Sequence, residues 1–245
     1  IENAISIALN EKTAKARMLL YRATLRHESN FGKAQAIQRA QSIGQENNSF
    51  PEMAELYTAI FEQIQPGSEL GWFGPDATLL HTANFNLEQA KLWSSLAKRE
   101  ANMDQNVLET THSYWPLIRI MWGDKVFDWD DDRMRDWWQL INKTNPRKAR
   151  EVASVLYNLL RVLGDSVSPD LRAALVGPNS SNRATKTIVN NQFSIETAAK
   201  TGNLAETITL ILISLDKTEF TTLSTSELIL IVDSVNKLGL REEAR

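Results

Sequence analysis

The sequence predicts an all-α protein of antiparallel helix pairs stacked as a superhelix. Three observations carry that expectation. Apolar residues recur at three- and four-residue spacing along most of the 245-residue chain. Helix-starting and helix-stopping residues punctuate those runs at the intervals of short hairpins. A small turn phrase ahead of an apolar helix also recurs around Asn86 and Asn203, and the turn itself returns once more at Gly239.

Residues 14–25 place Ala14, Met18, Tyr21 and Leu25 at intervals of four, three and four, one face of a helix. After HESNFG, the run KAQAIQRAQSI carries Ala34, Ile37, Ala40 and Ile43, so the two runs read as an antiparallel pair. A third helix starts at Pro51, a favoured first-turn residue, and passes through Met53, Leu56, Ile60 and Ile64 to a stop at Pro66-Gly67. Over 75–99, Pro75-Asp76 opens ATLLHTA, an Asn-Phe-Asn break follows, and LEQAKLWSSLAKRE completes another pair.

Asp128 to Lys143 reads as a helix whose acidic first turn suits the positive end of the helix dipole. Pro146-Arg147 separates it from EVASVLYNLLRVLG, where Gly164 is a helix-stopping glycine. GPNSSN, 177–182, is the loop or linker between a helical-repeat region over 1–176 and a second over 183–245 that continues it. ITLILISL, 208–215, is rich in β-branched residues, and we assign it to helix because nothing else offers a strand partner. Ser224 and Glu227 form a capping-box pattern ahead of Leu228, Ile231, Val232, Val235 and Leu238.

The recurring phrase aligns Asn86 with Asn203, Leu87 with Leu204, Trp93 with Leu210 and Leu96 with Ile213. Gly202 and Gly239 stand 37 residues apart with a complete helix between them. In this cadence, over the first 100 residues and the last 50, the chain resembles the tetratricopeptide-like α-solenoids. That family's consensus tryptophan, glycine, tyrosine and proline at fixed offsets are absent. The resemblance implies a scaffold that binds a protein or peptide partner on a curved groove, without enzymatic activity.

The stretch RHESNFGKA contains Glu28-Ser29-x-Phe31, which is similar to the catalytic segment of lytic transglycosylases, whose glutamate protonates a glycosidic oxygen of peptidoglycan. Here the chain continues as KAQAIQRAQSIGQ, where that family has a glycine-rich phrase. A proton donor also needs an apolar pocket, and Glu28 stands among His27, Ser29 and Asn30, so we read the stretch as the polar turn of a helix pair. Lytic transglycosylases also carry a large non-catalytic superhelix. The resemblance therefore implies an alternative function, the non-catalytic superhelical module of a peptidoglycan-processing system with cell-wall glycan as its partner.

Five of the seven tryptophans lie between Ser113 and Trp138. Met134, Trp137, Trp138 and Ile141 form one core stripe, and Trp115, Leu117, Ile118 and Met121 or Trp122 another. Trp72, Phe73 and Trp129 stand near loops and are the rings expected at the surface. Together with Trp115 and Trp122 they are the candidate ligand- or partner-binding residues. No residue is assigned a catalytic role.

Asp128, Asp130 and Asp132 imitate the start of a calcium loop, but Arg133 stands where glycine is required and Gln139 where a bidentate glutamate belongs. They read as an acidic helix start. The chain has no cysteine, and His27, His81 and His112 lack zinc-motif spacing. Phosphate loops, dinucleotide glycine patterns and nucleophile elbows are absent too, so no metal and no cofactor are expected.

A net charge of −3 supplies no field for a polyanion, which argues against nucleic acid. The longest apolar run, ITLILISL, is far shorter than the roughly 20 residues of a membrane span. Absence of cysteine suits the periplasm and the cytoplasm equally. A chain that starts at Ile1 and stops in the charged phrase REEAR reads as a piece of a longer protein.

Overall fold

The computed structural model describes residues 1–11, 13–144, 146–176, 192–215 and 223–245, and among them every regular element is a helix. The chain runs through α1 (Glu2–Glu11), α2 (Ala14–Arg26), α3 (Asn30–Glu46) and α4 (Phe50–Phe61), then a 3₁₀ turn (Ser68–Phe73). It continues as α5 (Gly74–Ala83), α6 (Leu87–Glu100) and α7 (Gln105–Trp122), followed by a second 3₁₀ turn (Gly123–Lys125). The remaining helices are α8 (Asp131–Thr144), α9 (Pro146–Val162), α10 (Pro169–Val176), α11 (Gln192–Lys200), α12 (Leu204–Leu215) and α13 (Thr225–Lys237). The protein is all-α. ITLILISL is helical, as the lack of a strand partner required.

Packing divides the chain into two compact units, Ile1–Asp128 and Trp129–Arg245. The GPNSSN segment, expected as the loop between a first helical region and a second, lies outside the described residues. Helices from before and after it pack within one unit, α9 against α13, with Asn236 Nδ2 donating to the Val162 carbonyl at 2.6 Å.

One turn geometry recurs because the same local problem, joining two antiparallel helices in three residues, is solved the same way. Asn47-Asn48-Ser49 joins α3 to α4, Asn84-Phe85-Asn86 joins α5 to α6, and Thr201-Gly202-Asn203 joins α11 to α12. The middle residue is left-handed in each, with φ of 53° at Asn48, 55° at Phe85 and 72° at Gly202. The third N–H returns to a carbonyl in the helix just ended: Ser49 to Gly44 at 2.8 Å, Asn86 to His81 at 2.8 Å, Asn203 to Ala198 at 2.9 Å. That third residue also starts the next helix. Asn86 Oδ1 accepts from the Gln89 N–H and Asn203 Oδ1 from the Glu206 N–H, each at 3.3 Å, so the two aligned asparagines are the same cap.

Phe85 occupies the position that Gly202 holds in the equivalent turn. Its ring is 74% exposed, so it supplies little packing to offset a conformation that disfavours a Cβ. Phe85→Gly is expected to raise stability by about 0.5–1 kcal/mol, since relief of roughly 1–2 kcal/mol of left-handed strain outweighs glycine's extra chain entropy. A higher urea midpoint at unchanged slope is the readout.

Other local signals are realised as well. Ser224 and Glu227 close the capping box of α13, and Gly164 follows α9 with φ of 94°. The acidic run caps α8, which begins at Asp131; Asp130 Oδ1 accepts from the Asp132 N–H at 2.9 Å.

Two expectations about faces are corrected. On α2, Met18 and Leu25 are exposed, and the buried line is Ala16, Leu20 and Thr24, the face that α2 turns to its neighbours α1 and α3. On α12, Ile213 is 58% exposed although its partner in the alignment, Leu96, is 5% exposed. Its buried line instead passes through Thr207 and Ile211, the latter in a cluster with Ile195 and Leu230.

Helix α5 sits at the centre of the first unit, and every residue from Gly74 to Thr82 is buried. At its start, a Cβ on Gly74 would lie 2.9 Å from the Ala97 backbone, so glycine is what lets α5 and α6 approach.

Candidate functional site

Three features of the first unit bear on function. The first is a groove of about 330 Å³ between α2 and α4, with α3 as its floor. Ala14, Met18 and Tyr21 line one wall, Met53, Leu56 and Tyr57 the other, and Ala40, Ile43 and Gly44 the bottom. Tyr21 and Tyr57 meet edge-to-face at 5.2 Å, which braces the two walls. Burial holds the Tyr57 hydroxyl above the ordinary tyrosine range. Met18 and Leu56 stay 58% and 54% exposed, so the apolar face read on α2 is real but uncovered.

The second is a polar cluster in the core. Asp76, in the first turn of α5, is 3% exposed. Its Oδ2 accepts from Gln38 Nε2 at 2.8 Å, and its Oδ1 accepts from Gln41 Nε2 at 2.9 Å and from the Tyr114 hydroxyl at 3.2 Å. Tyr114 in turn accepts from Gln41 at 3.1 Å and Gln45 at 3.3 Å. One carboxylate thereby ties α3, α5 and α7 together. Burial pushes the Asp76 pKa up, and the three hydrogen bonds oppose it. Burial, then the Asp76 charge, pushes Tyr114 up to about 12. One turn and a residue further along α5, His81 is 2% exposed, its ring edge-on to Phe61 at 4.9 Å and its Nδ1 without a hydrogen-bond partner. Burial lowers its pKa to about 4.

The third is a recess of about 530 Å³ between α1, α3 and the first 3₁₀ turn. Glu2, Ile5 and Ser6 come from α1, Phe31, Gln35, Gln38 and Arg39 from α3, and Trp72 from the 3₁₀ turn. Gln38 thus belongs both to this recess and to the Asp76 cluster.

The structure scatters the candidate rings. Trp72 is half-buried and lines the recess. Phe73, expected at the surface, is 1% exposed and packs edge-on against Trp93 at 5.8 Å, because consecutive residues of a tight turn point to opposite sides. Trp115 is fully buried in α7, so neither of these two rings is presented to a ligand from outside. Trp122 is half-buried and donates its Nε1 proton to Thr82 Oγ1 at 3.0 Å, fastening α7 to α5. Trp129 opens the second unit, half-buried, its Nε1 donating to Asp131 Oδ1 at 2.8 Å. Met134 and Trp137 are buried, as their stripe predicts, whereas Trp138 and Ile141 of the same stripe are half-buried and Leu117 of the other is 55% exposed.

The HESNFG stretch is a helix cap. Ser29 Oγ accepts from the Gly32 N–H at 3.2 Å, the Ser29 N–H donates to His27 Nδ1 at 3.2 Å, and Glu28 is exposed beside them. Among the described residues, no three histidine, aspartate or glutamate side chains gather as a metal set. No described helix is long and apolar enough to cross a membrane.

Comparison with protein-family models, with curated proteins and with solved structures finds no match for this chain. The class defined by its own fold and surfaces is an all-α protein of hairpin-joined helices whose first unit carries an apolar groove and a polar recess.

Proposed function

We propose that this chain is a non-enzymatic helical-repeat scaffold, its hairpins stacked in the manner of an α-solenoid, that binds a protein partner through the groove of α2, α3 and α4. The occupant is an amphipathic helical segment of that partner. The observation that supports this reading is the pair Met18 and Leu56, large apolar side chains more than half exposed on opposite walls of a concave apolar channel. Burying such a channel against an apolar stripe spaced three and four residues apart removes both surfaces from water at once. Methionine on both walls, Met18 and Met53, adapts to differing side chains.

The test is capture from source lysate with the chain as bait, followed by titration of the captured segment as a synthetic peptide. Met18→Glu and Leu56→Glu each place a charge at an exposed site, so the fold is expected to survive, as circular dichroism will verify. Each is expected to weaken the peptide at least tenfold, the cost of about 1.4 kcal/mol or more for forcing a carboxylate against apolar surface. A captured peptide that binds the variants as tightly as the wild type overturns the reading, as does a chain that captures nothing.

A further inference from the structure

We propose that the recess between α1, α3 and the first 3₁₀ turn is a saccharide site, taking a neutral β-1,4-linked pyranose oligosaccharide with Trp72 as its stacking platform. The inference does not depend on the peptide groove, which lies on other residues. Its first support is the aromatic wall. The Trp72 ring is held at 5.5 Å from Phe31 and 5.7 Å from Phe73, and Phe73 is itself locked in the core, so the indole is fixed before any ligand arrives. The equatorial substituents of β-linked pyranoses leave the ring faces covered by C–H groups, a flat apolar surface that fits an indole.

The second support is the polar complement. Gln38 is anchored by its amide nitrogen to buried Asp76 at 2.8 Å, which orients its carboxamide and leaves the carbonyl oxygen as an acceptor at the recess. Glu2, Gln35 and Arg39 line the same recess and engage in no side-chain hydrogen bond or ion pair among the described residues. A sugar hydroxyl donates and accepts at once, and the lining offers both: acceptors on Glu2 and Gln38, donors on Arg39, both functions on Gln35. Glu2 and Arg39 carry opposite charges, so the recess selects no net charge, and an uncharged polar ligand satisfies it better than an ion does. The volume of about 530 Å³ lies within the roughly 300–1,000 Å³ of small-molecule sites.

The experiment titrates cellotetraose and N,N′,N″,N‴-tetraacetylchitotetraose separately into the whole chain, following tryptophan fluorescence and heat. At least one is expected to bind with a change in indole emission. Trp72→Ala is expected to weaken it at least tenfold, and Arg39→Ala, at an exposed position that leaves the fold intact, severalfold. Met18→Glu is expected to bind the sugar like the wild type, which separates failure of this site from failure of the groove. Absence of binding by both sugars overturns the proposal. So does binding that Arg39→Ala leaves unchanged, an outcome that counts even if Trp72→Ala fails to fold.

Discussion

Asp76→Ala is expected to cost about 3 kcal/mol of folding stability, several times the loss from Asp76→Asn. The carboxylate accepts three hydrogen bonds while 3% exposed, and its donors come from two other helices, α3 and α7. Hydrogen bonds to a charged group contribute about 1.5–3 kcal/mol each, yet deleting the charge also removes its desolvation cost, so the three losses do not add in full. Gln41 is 1% exposed and keeps Tyr114 as a partner at 3.1 Å, whereas half-buried Gln38 turns to water. Asparagine preserves acceptance from Gln41 and Tyr114 and can donate to Gln38 once that amide flips. Its profile against pH also differs. Asp76 titrates higher in the native state than its ordinary 3.8, so between those values the native state binds more protons than the unfolded one. Wild-type stability contributed by Asp76 therefore falls as pH rises through that window. The advantage of wild type over Asp76→Asn should shrink from pH 4 to pH 7 in urea unfolding; an advantage that grows with pH contradicts the arrangement.

This cluster also marks where sequence reading stops. The caps at Asn86, Asn203 and Ser224 and the stop at Gly164 are legible because their partners lie within a few residues, so the chain states both halves of each interaction locally. Asp76 appears locally as an acid in a helix's first turn, an ordinary dipole partner. Its true partners stand 35 and 38 residues away, and no local spacing couples them. A signal was present in ATLLHTA, which carries no charged residue: a helix without a charged face can be buried all round, and the Asp76, Thr78 and Thr82 of such a helix must then find partners inside. The same limit explains α2. Met18 and Leu20 are both apolar residues of one turn of α2, and only the tertiary neighbours decide that Leu20 goes inward while Met18 lines a groove. Trp72 and Phe73 are equivalent in sequence as rings near a loop, and the turn of backbone between them sends one to the recess and the other to the core.

His81 is expected to make the protein acid-labile in the opposite sense to Asp76. It is enclosed beside Phe61, and burial holds its pKa near 4 against an ordinary 6.5. Between those values the unfolded chain binds a proton that the native state refuses, so stability falls as pH drops from 6.5 toward 4. At about 1.4 kcal/mol per pH unit, that window corresponds to a loss of about 3 kcal/mol from this one ring. His81→Leu keeps an apolar side chain in the same space and removes the titration. Its stability relative to wild type is therefore expected to improve by about 3 kcal/mol between pH 7 and pH 4, whatever the packing cost at neutral pH. Asp76→Asn should move the other way, losing relative stability over the same fall in pH. Two substitutions five residues apart on α5 that tilt the profile in opposite directions would locate the protein's pH response in this helix. Offsets from wild type that stay constant with pH in both variants would show that each group keeps its ordinary pKa in the fold, and would overturn this assignment.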